Sequence, residues 1–430
     1  MNKAVGTYRW RILALLFFAT TINYFDRSLI GVLAPTLSKL FDWSNQDYAY
    51  ISMSFKLAYA IGLLSMGAVV DRLGTKKGYI ISIAIWSIFG MLHAAIKPGF
   101  ALIGFILARF GLGIGESGNF PASIKTVAEW FPKKERAFAT GIFNAATSVG
   151  AIMAPLIVAW LVSVDGTGWQ YPFLLTGLFS SIWVFIWWQT YQKPEEHPRL
   201  SEAERTYINS DSAIENTDKL PWVKVLPLPQ TWAFALAKTT DAVWWFYLFW
   251  GAKFLDAQFG LNIKDLALPL IIIYILADIG SIAGGWLSSA MIKSGRSINN
   301  ARKTTLLICA LAILPVMFVT LTGNKWLAIC LIGLGAGGHQ AWSANIFTLV
   351  SDVFPKKATA SVVGIGGMVG ALAGLVADYS LGQVLDQAGP GGYFFAFMIA
   401  GSLYLIILGL VHLIMPTMTP LDENLNEIEV

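Results

Sequence analysis

Apolar runs of roughly 20 residues, separated by short polar stretches, recur along the whole chain. A helix needs about that length to cross a bilayer. The runs fall near 11–34, 47–70, 78–97, 99–122, 136–163 and 169–191, then near 230–255, 265–291, 302–322, 326–350, 358–382 and 391–415. The pattern predicts an all-α polytopic membrane protein with twelve spans in two sets of six. The interval 192–228 is polar and holds the longest charge runs. It divides the chain into a six-helix bundle over 1–191, a linker over 192–228, a second bundle over 229–418 and a tail over 419–430. LSEAERTYI within the linker has the composition of a short amphipathic helix, but a solvated linker is the plainer expectation.

A repeat reinforces the two-part division. GLGIGESGNFPASIKTVAEWFPKK at 111–134 returns as GLGAGGHQAWSANIFTLVSDVFPKK at 333–357, displaced by about half the chain. Similar halves of this size are a known construction of membrane transporters. The first copy contains a GxGxxG match at Gly113–Gly118. A dinucleotide fingerprint must follow a strand and open a helix; this one lies inside an apolar helix and does not imply nucleotide binding.

Composition agrees. The chain is 56% hydrophobic and 13% charged, with a mean hydropathy of +0.60, whereas soluble domains are about 25% charged. Its net charge of +4 gives no nucleic-acid signature. Cys309 and Cys330 both lie in apolar runs and offer neither a disulfide framework nor metal-ligand spacing. Lys3, Arg9 and Arg11 precede a first apolar run with no small-residue cleavage site, so that run is expected to be retained. Most lysines and arginines fall at the N-terminus and in alternate loops, leaving only Lys39, Lys97, Lys253, Lys264 and Lys325 for the opposite side. The positive-inside rule then places both termini in the cytoplasm.

Charges inside the spans mark the candidate chemistry, because ionisable groups at that depth persist mainly in bundle interiors or aqueous cavities. Span 1 contains NYFDRS, in which adjacent Asp26 and Arg27 project about 100° apart. Either other helices neutralise them, or Asp26 carries a proton and Arg27 meets an anionic substrate. Lys56 and Tyr59 share one face of span 2, and Lys56 pairs with an acid or serves a ligand. Arg109 and Glu116 lie about two turns apart on one face of span 4. The cations Arg27, Lys56 and Arg109 outnumber the acids Asp26 and Glu116, so protonating the acids would strengthen the pull on a carboxylate. Burial and nearby cations act in opposite senses on such acids, which allows titration near neutral pH. In the second half Lys238 and Asp241 stand at i and i+3, either neutralising each other or meeting substrate. His339, Gln340, Trp342 and Ser343 bring polar donors beside an indole, a combination suited to a hydroxylated ring. Asn144 in span 5 lines the cavity or bonds to a neighbouring helix.

These residues resemble a known family. GAVVDRLGTKKG at 67–78 is similar to the signature loop of the major facilitator superfamily, where Gly67, Asp71, Arg72 and Gly74 would help lock a gate. The corresponding stretch of the second half has Ser288 and Ser289 where an acid might be expected. NYFDRS and the two repeat copies resemble the anion:cation symporter branch, specifically its hexuronate-transporter-like members. The resemblance implies proton symport of glucuronate or galacturonate by alternating access across a bacterial inner membrane, by a monomer without cofactor or metal. It puts proton coupling on Asp26 and Glu116, with Arg109 beside Glu116 in the coupling network, and substrate contact on Arg27 and Tyr59. Lys56 departs from the branch pattern; an extra cation there either favours a dianion such as an aldarate or ties down an acid and alters coupling. Other organic anions, uniport or exchange, and a non-transporting sensor remain as alternatives. The sensor would need a signalling domain that neither linker nor tail supplies, and no HExxH or P-loop points to an enzyme.

Overall fold

In the computed structural model the described residues are 6–210 and 222–428, and they are helical almost throughout. The one β contact among them is an isolated bridge between Leu421 and Glu427. The chain divides into two compact units, one comprising Met1–Leu33 and Ser54–Asn216, the other Ala34–Met53 and Thr217–Val430.

The first unit is built from α1 (Tyr8–Leu40), α2 (Asn45–Ala94), α3 (Ala101–Glu116), α4 (Asn119–Trp130), α5 (Lys133–Leu161), α6 (Tyr171–Thr190) and α7 (Glu202–Ile208), with the end of α1 and the start of α2 belonging to the second unit. The spans expected at 47–70 and 78–97 form one run interrupted at Gly74, whose φ of 77° and ψ of 160° suit glycine alone. The span expected at 99–122 is not a single helix: it stops at Glu116 and restarts at Asn119.

Packing follows the logic of a lipid solvent. On α3 the apolar Ile103 and Leu107 are 61% and 62% exposed, while Arg109 and Glu116 are 0% exposed. Hydrocarbon meets the leucine face, and the charged face turns into the bundle, where partners exist. Glycines make that burial possible. A Cβ on Gly113 would stand 2.6 Å from the Phe55 carbonyl, and one on Gly115 would stand 2.5 Å from the Trp86 nitrogen. Backbone therefore meets backbone where α3 crosses α2.

The described part of the linker keeps many exposed residues, and its LSEAERTYI stretch forms the short amphipathic helix α7, anchored by a few buried side chains. Ser201 caps α7 through the Glu204 amide, and Glu204 is buried against the start of α1. Its Oε1 accepts the Arg9 backbone N–H at 3.0 Å and the Arg9 guanidinium at 3.3 Å. Arg9 also donates to Glu135 of α5 at 3.0 Å, and the Tyr207 hydroxyl donates to the same carboxylate at 2.7 Å. His197 is wedged against the Tyr8 ring at 4.4 Å, giving Nε2–H to the Thr190 carbonyl and accepting the Arg199 amide on Nδ1. Burial, assisted by Arg199 and Arg205, holds its pKa below the ordinary histidine value, with Glu204 acting in the opposite sense. Residues 211–221 of the linker lie outside the described residues.

The second unit contains α8 (Trp222–Val225), α9 (Pro229–Lys238), α10 (Asp241–Phe259), α11 (Ala267–Lys293), α12 (Ile298–Ile313), α13 (Lys325–Val353), α14 (Lys356–Ala388) and α15 (Gly392–Ile414). The span expected at 230–255 is likewise divided, between Lys238 and Asp241. Residues 34–53 are fixed here by Tyr48, which donates to the Phe249 carbonyl at 2.6 Å, and by a 2.8 Å ion pair of Lys39 with Asp256. Asp386 takes the amides that open α2, those of Asn45 and Gln46, at 2.8 and 2.9 Å. The tail folds back on this unit, with the Leu421 amide on the Val353 carbonyl at 2.7 Å and Lys357 paired to Glu423 at 3.0 Å.

Among the described residues seven helical stretches are long and apolar enough to cross a membrane, and the last, Lys357–Ile414, covers two expected spans. The expected spans at 11–34, 47–70, 230–255 and 326–350 fall outside the seven. In three of them, 11–34, 230–255 and 326–350, the hydropathy is diluted by Asp26 and Arg27, by Lys238 and Asp241, and by His339 with Gln340. Candidate chemistry and weak hydropathy coincide.

Candidate functional site

Three helices bring the first-half charges together. Arg27 lies on the stripe of α1 that also carries Asn23 and Thr20, one and two turns back. Its Nε donates to Glu116 Oε2 at 2.8 Å, and a terminal nitrogen reaches Asn23 Oδ1 at 3.4 Å. The guanidinium lies over the rings of Tyr24 at 4.5 Å, Tyr59 at 4.6 Å and Phe55 at 5.4 Å. Arg109 uses the Phe55 ring as well, at 4.4 Å. One aromatic ring thus stands between two cations, a use of ring quadrupole that suits charges withdrawn from water. Lys56, next in sequence to Phe55, is also buried.

Asp26 looks the other way. Its Oδ2 lies 2.7 Å from where a Cβ on Gly90 would stand, beside Thr176, with Arg109 and Glu116 as the charged groups acting on it. The two carboxylates therefore occupy different settings: Glu116 is ion-paired to Arg27, and Asp26 faces α2 and α6. Tyr59 is half-buried and stacked on Phe55 at 5.9 Å, whereas Asn144 is exposed on α5. The residues that sequence reasoning passed over are Asn23, Tyr24, Phe55, Thr176 and His93. His93 is buried one turn beyond Gly90, stacked on Phe173 at 4.8 Å, with Nδ1 on the carbonyls of Phe89 and Gly90. Only Asn23 carried a readable signal, one turn before Arg27 in NYFDRS.

The second-half candidates gather around the interruption between α9 and α10. Lys238 Nζ lies 2.5 Å from Asp241 Oδ2 and 4.4 Å from the centre of the Phe347 ring. His339 Nδ1 meets the Tyr404 hydroxyl at 2.7 Å. The indole stacked on His339 is that of Trp244, at 5.8 Å, and Trp342 is instead packed edge-on against Tyr404 at 5.3 Å. Gln340 and Ser343 are half-buried neighbours on α13.

At the signature loop Gly67 has open space around it, Gly74 turns the chain, and Arg72 is exposed; the side chain of Asp71 lies outside the described residues. In the second half the Ser288 hydroxyl accepts from Arg302 at 2.7 Å, and Arg302 pairs with Asp352 at 2.8 Å.

The described family of the Major Facilitator Superfamily matches residues 16–377. The chain belongs to that superfamily. Within it the chain falls in the hexuronate-transporter-like branch, being 32% identical to the hexuronate transporter of Escherichia coli (strain K12) over 90% of each chain. It is also 32% identical to the galacturonate transporter of Dickeya chrysanthemi, over 65% of this chain and 81% of that one. A probable galactarate/D-glucarate transporter of Bacillus subtilis (strain 168), GudP, is 27% identical over 93% and 92%. Solved structures give the same fold. A bacterial homologue of the human lysosomal transporter Spinster superposes with a TM-score of 0.74 at 19% identity, covering 96% of this chain and 97% of that one. A D-xylose–proton symporter does so with 0.74 at 15%, covering 93% and 97%. This superfamily member is a multi-pass membrane protein whose relatives and structural neighbours are transporters.

Proposed function

We propose that the protein is a proton-coupled symporter that brings hexuronates, glucuronate or galacturonate, into the cell. It works by alternating access in a bacterial inner membrane, as a monomer with both termini in the cytoplasm. The observation that carries this reading is the buried Arg27–Glu116 pair at 2.8 Å. A substrate carboxylate and the Glu116 carboxylate compete for the same guanidinium. Protonating Glu116 removes the internal competitor and leaves Arg27 to the substrate, so proton and anion travel together. Asp26, in its separate setting, supplies a second protonation step. Arg109 and Lys56 raise the local positive potential that draws an anion inward, and Tyr59 offers a ring face and a hydroxyl to a sugar.

A second reading, transport of dicarboxylate aldarates, is favoured by Lys56, a third buried cation in the first unit, next in sequence to the Phe55 ring that both arginines contact. The test is uptake of labelled glucuronate into proteoliposomes with and without an inward proton gradient, followed by competition with galactarate. Accumulation that collapses with an uncoupler supports symport. Counterflow without accumulation keeps the substrate and removes the coupling. Competition by galactarate alone moves the substrate to aldarates.

A further inference from the structure

The interruption after Glu116 is built, and its construction assigns roles to residues outside the charge cluster. Pro121 lacks the N–H that would return to the Ser117 carbonyl, so one helical bond is missing at the break. The Gly118 amide drops back to the Gly115 carbonyl at 3.2 Å, an i−3 bond. Backbone groups freed at such a break inside a membrane must be satisfied by neighbours. The Ser82 hydroxyl donates to the Gly115 carbonyl at 2.6 Å, and Ser117 donates to the Ile114 carbonyl at 2.6 Å. Asn119, the first residue of α4, is held on both sides. Its Oδ1 accepts the Tyr79 hydroxyl at 2.6 Å, and its Nδ2 donates to Thr20 Oγ1 at 3.2 Å. Tyr79 also lies 3.0 Å from Ser123 Oγ. Thr20, Tyr79, Ser82, Asn119 and Ser123 are all fully buried.

This network touches α1 on the stripe that bears Arg27. The break is therefore tied to α1 at two points: Glu116 holds Arg27 with a charge, and Asn119 holds Thr20 with a neutral amide. Only the first tie depends on protonation. We propose that Tyr79, Asn119 and Thr20 form a fixed pivot that sets the register of α3 against α1, and so sets how firmly Glu116 meets Arg27. They are positioning residues for proton coupling, an inference that rests on the coupling role proposed for Glu116. When Glu116 takes a proton, the charged tie opens and the neutral tie stays, so α3 swings about Asn119 instead of detaching from α1.

The test uses two substitutions that remove one hydroxyl with little change of shape, Tyr79→Phe and Thr20→Val. Proton-driven uptake is measured in proteoliposomes across external pH, beside wild type and Glu116→Gln. Loosening the pivot weakens the grip of Arg27 on the Glu116 charge, so half-maximal uptake moves to higher pH by about one unit, a tenfold change in proton concentration, with counterflow preserved. Glu116→Gln gives a flat profile. If the two hydroxyl variants overlay wild type in profile, with or without a lower maximal rate, the pivot is overturned while the Glu116 reading stands. If wild type is itself flat, both fall. Should Tyr79→Phe fail to fold by size-exclusion chromatography, Thr20→Val decides alone.

Discussion

The two copies of the glycine-rich repeat fold differently, and the difference locates the chemistry. The first copy breaks into α3 and α4 at a point flanked by Glu116 and Asn119; the second is one uninterrupted helix, α13, from Lys325 to Val353. Aligned from their first glycines, Pro121 in one copy faces Ser343 in the other, and Glu116 faces Gly338. The continuous copy uses its glycines for contact with α11, where a Cβ on Gly280 would stand 2.2 Å from the Gly337 carbonyl. The broken copy combines such contact with a charge that reaches α1. In the second half the ion pair, of a buried lysine with a half-buried aspartate, lies instead across the α9–α10 interruption, between residues three apart. A pair between distant helices ties their motions together; a pair within one turn mainly neutralises itself.

The sharpest way to break this contrast is to neutralise one pair at a time. Glu116→Gln is expected to abolish concentrative uptake while sparing exchange, measured as accumulation against counterflow. Removing one partner of a buried pair costs about 3–5 kcal/mol, so its thermal unfolding in detergent should fall measurably as well. The joint replacement Lys238→Met with Asp241→Leu is expected to be nearly neutral for stability, because two desolvated charges leave together. A large loss of thermal stability in that double variant would erase the proposed difference between the halves. Gly337→Val and Gly115→Val should destabilise both copies by about 1–3 kcal/mol through overpacking, seen in the same melting assay. Gly364→Ala and Gly367→Ala, with open space at each Cβ, should leave the melting point unchanged.

The smallest expected effect concerns the linker. His197 has its pKa lowered in the docked state, so docking is strongest above the ordinary histidine value near 6.5 and weakens as pH falls through it. Hydrogen exchange of residues 201–208 should quicken when the pH is dropped from about 7.5 to about 5.5, and His197→Phe should flatten that response.

Much of this architecture was legible in the chain. Apolar runs located most of the helices, and the repeat led to the expectation of two halves. The same reading put Arg109 and Glu116 on one helical face, and spacing can say no more than that. Which helix supplies a partner is decided by packing: Glu116 meets Arg27 across 89 positions, and Arg9 meets Glu204 across 195. Period and hydropathy carry no trace of such distances. The linker was legible in part for a related reason. LSEAERTYI has the composition of a short amphipathic helix and forms one as α7, but nothing in its letters says that Glu204 docks on Arg9.

The docked linker helix has a practical consequence for dissecting the molecule. Glu204 and Tyr207 complete a charge cluster begun by Arg9 and Glu135. Half-molecules expressed as separate polypeptides should therefore be cut between Ser210 and Trp222, not at the end of α6. A cut near 192 would leave Arg9 and Glu135 facing each other without Glu204 and Tyr207, and would hand the second fragment a buried carboxylate with nowhere to dock.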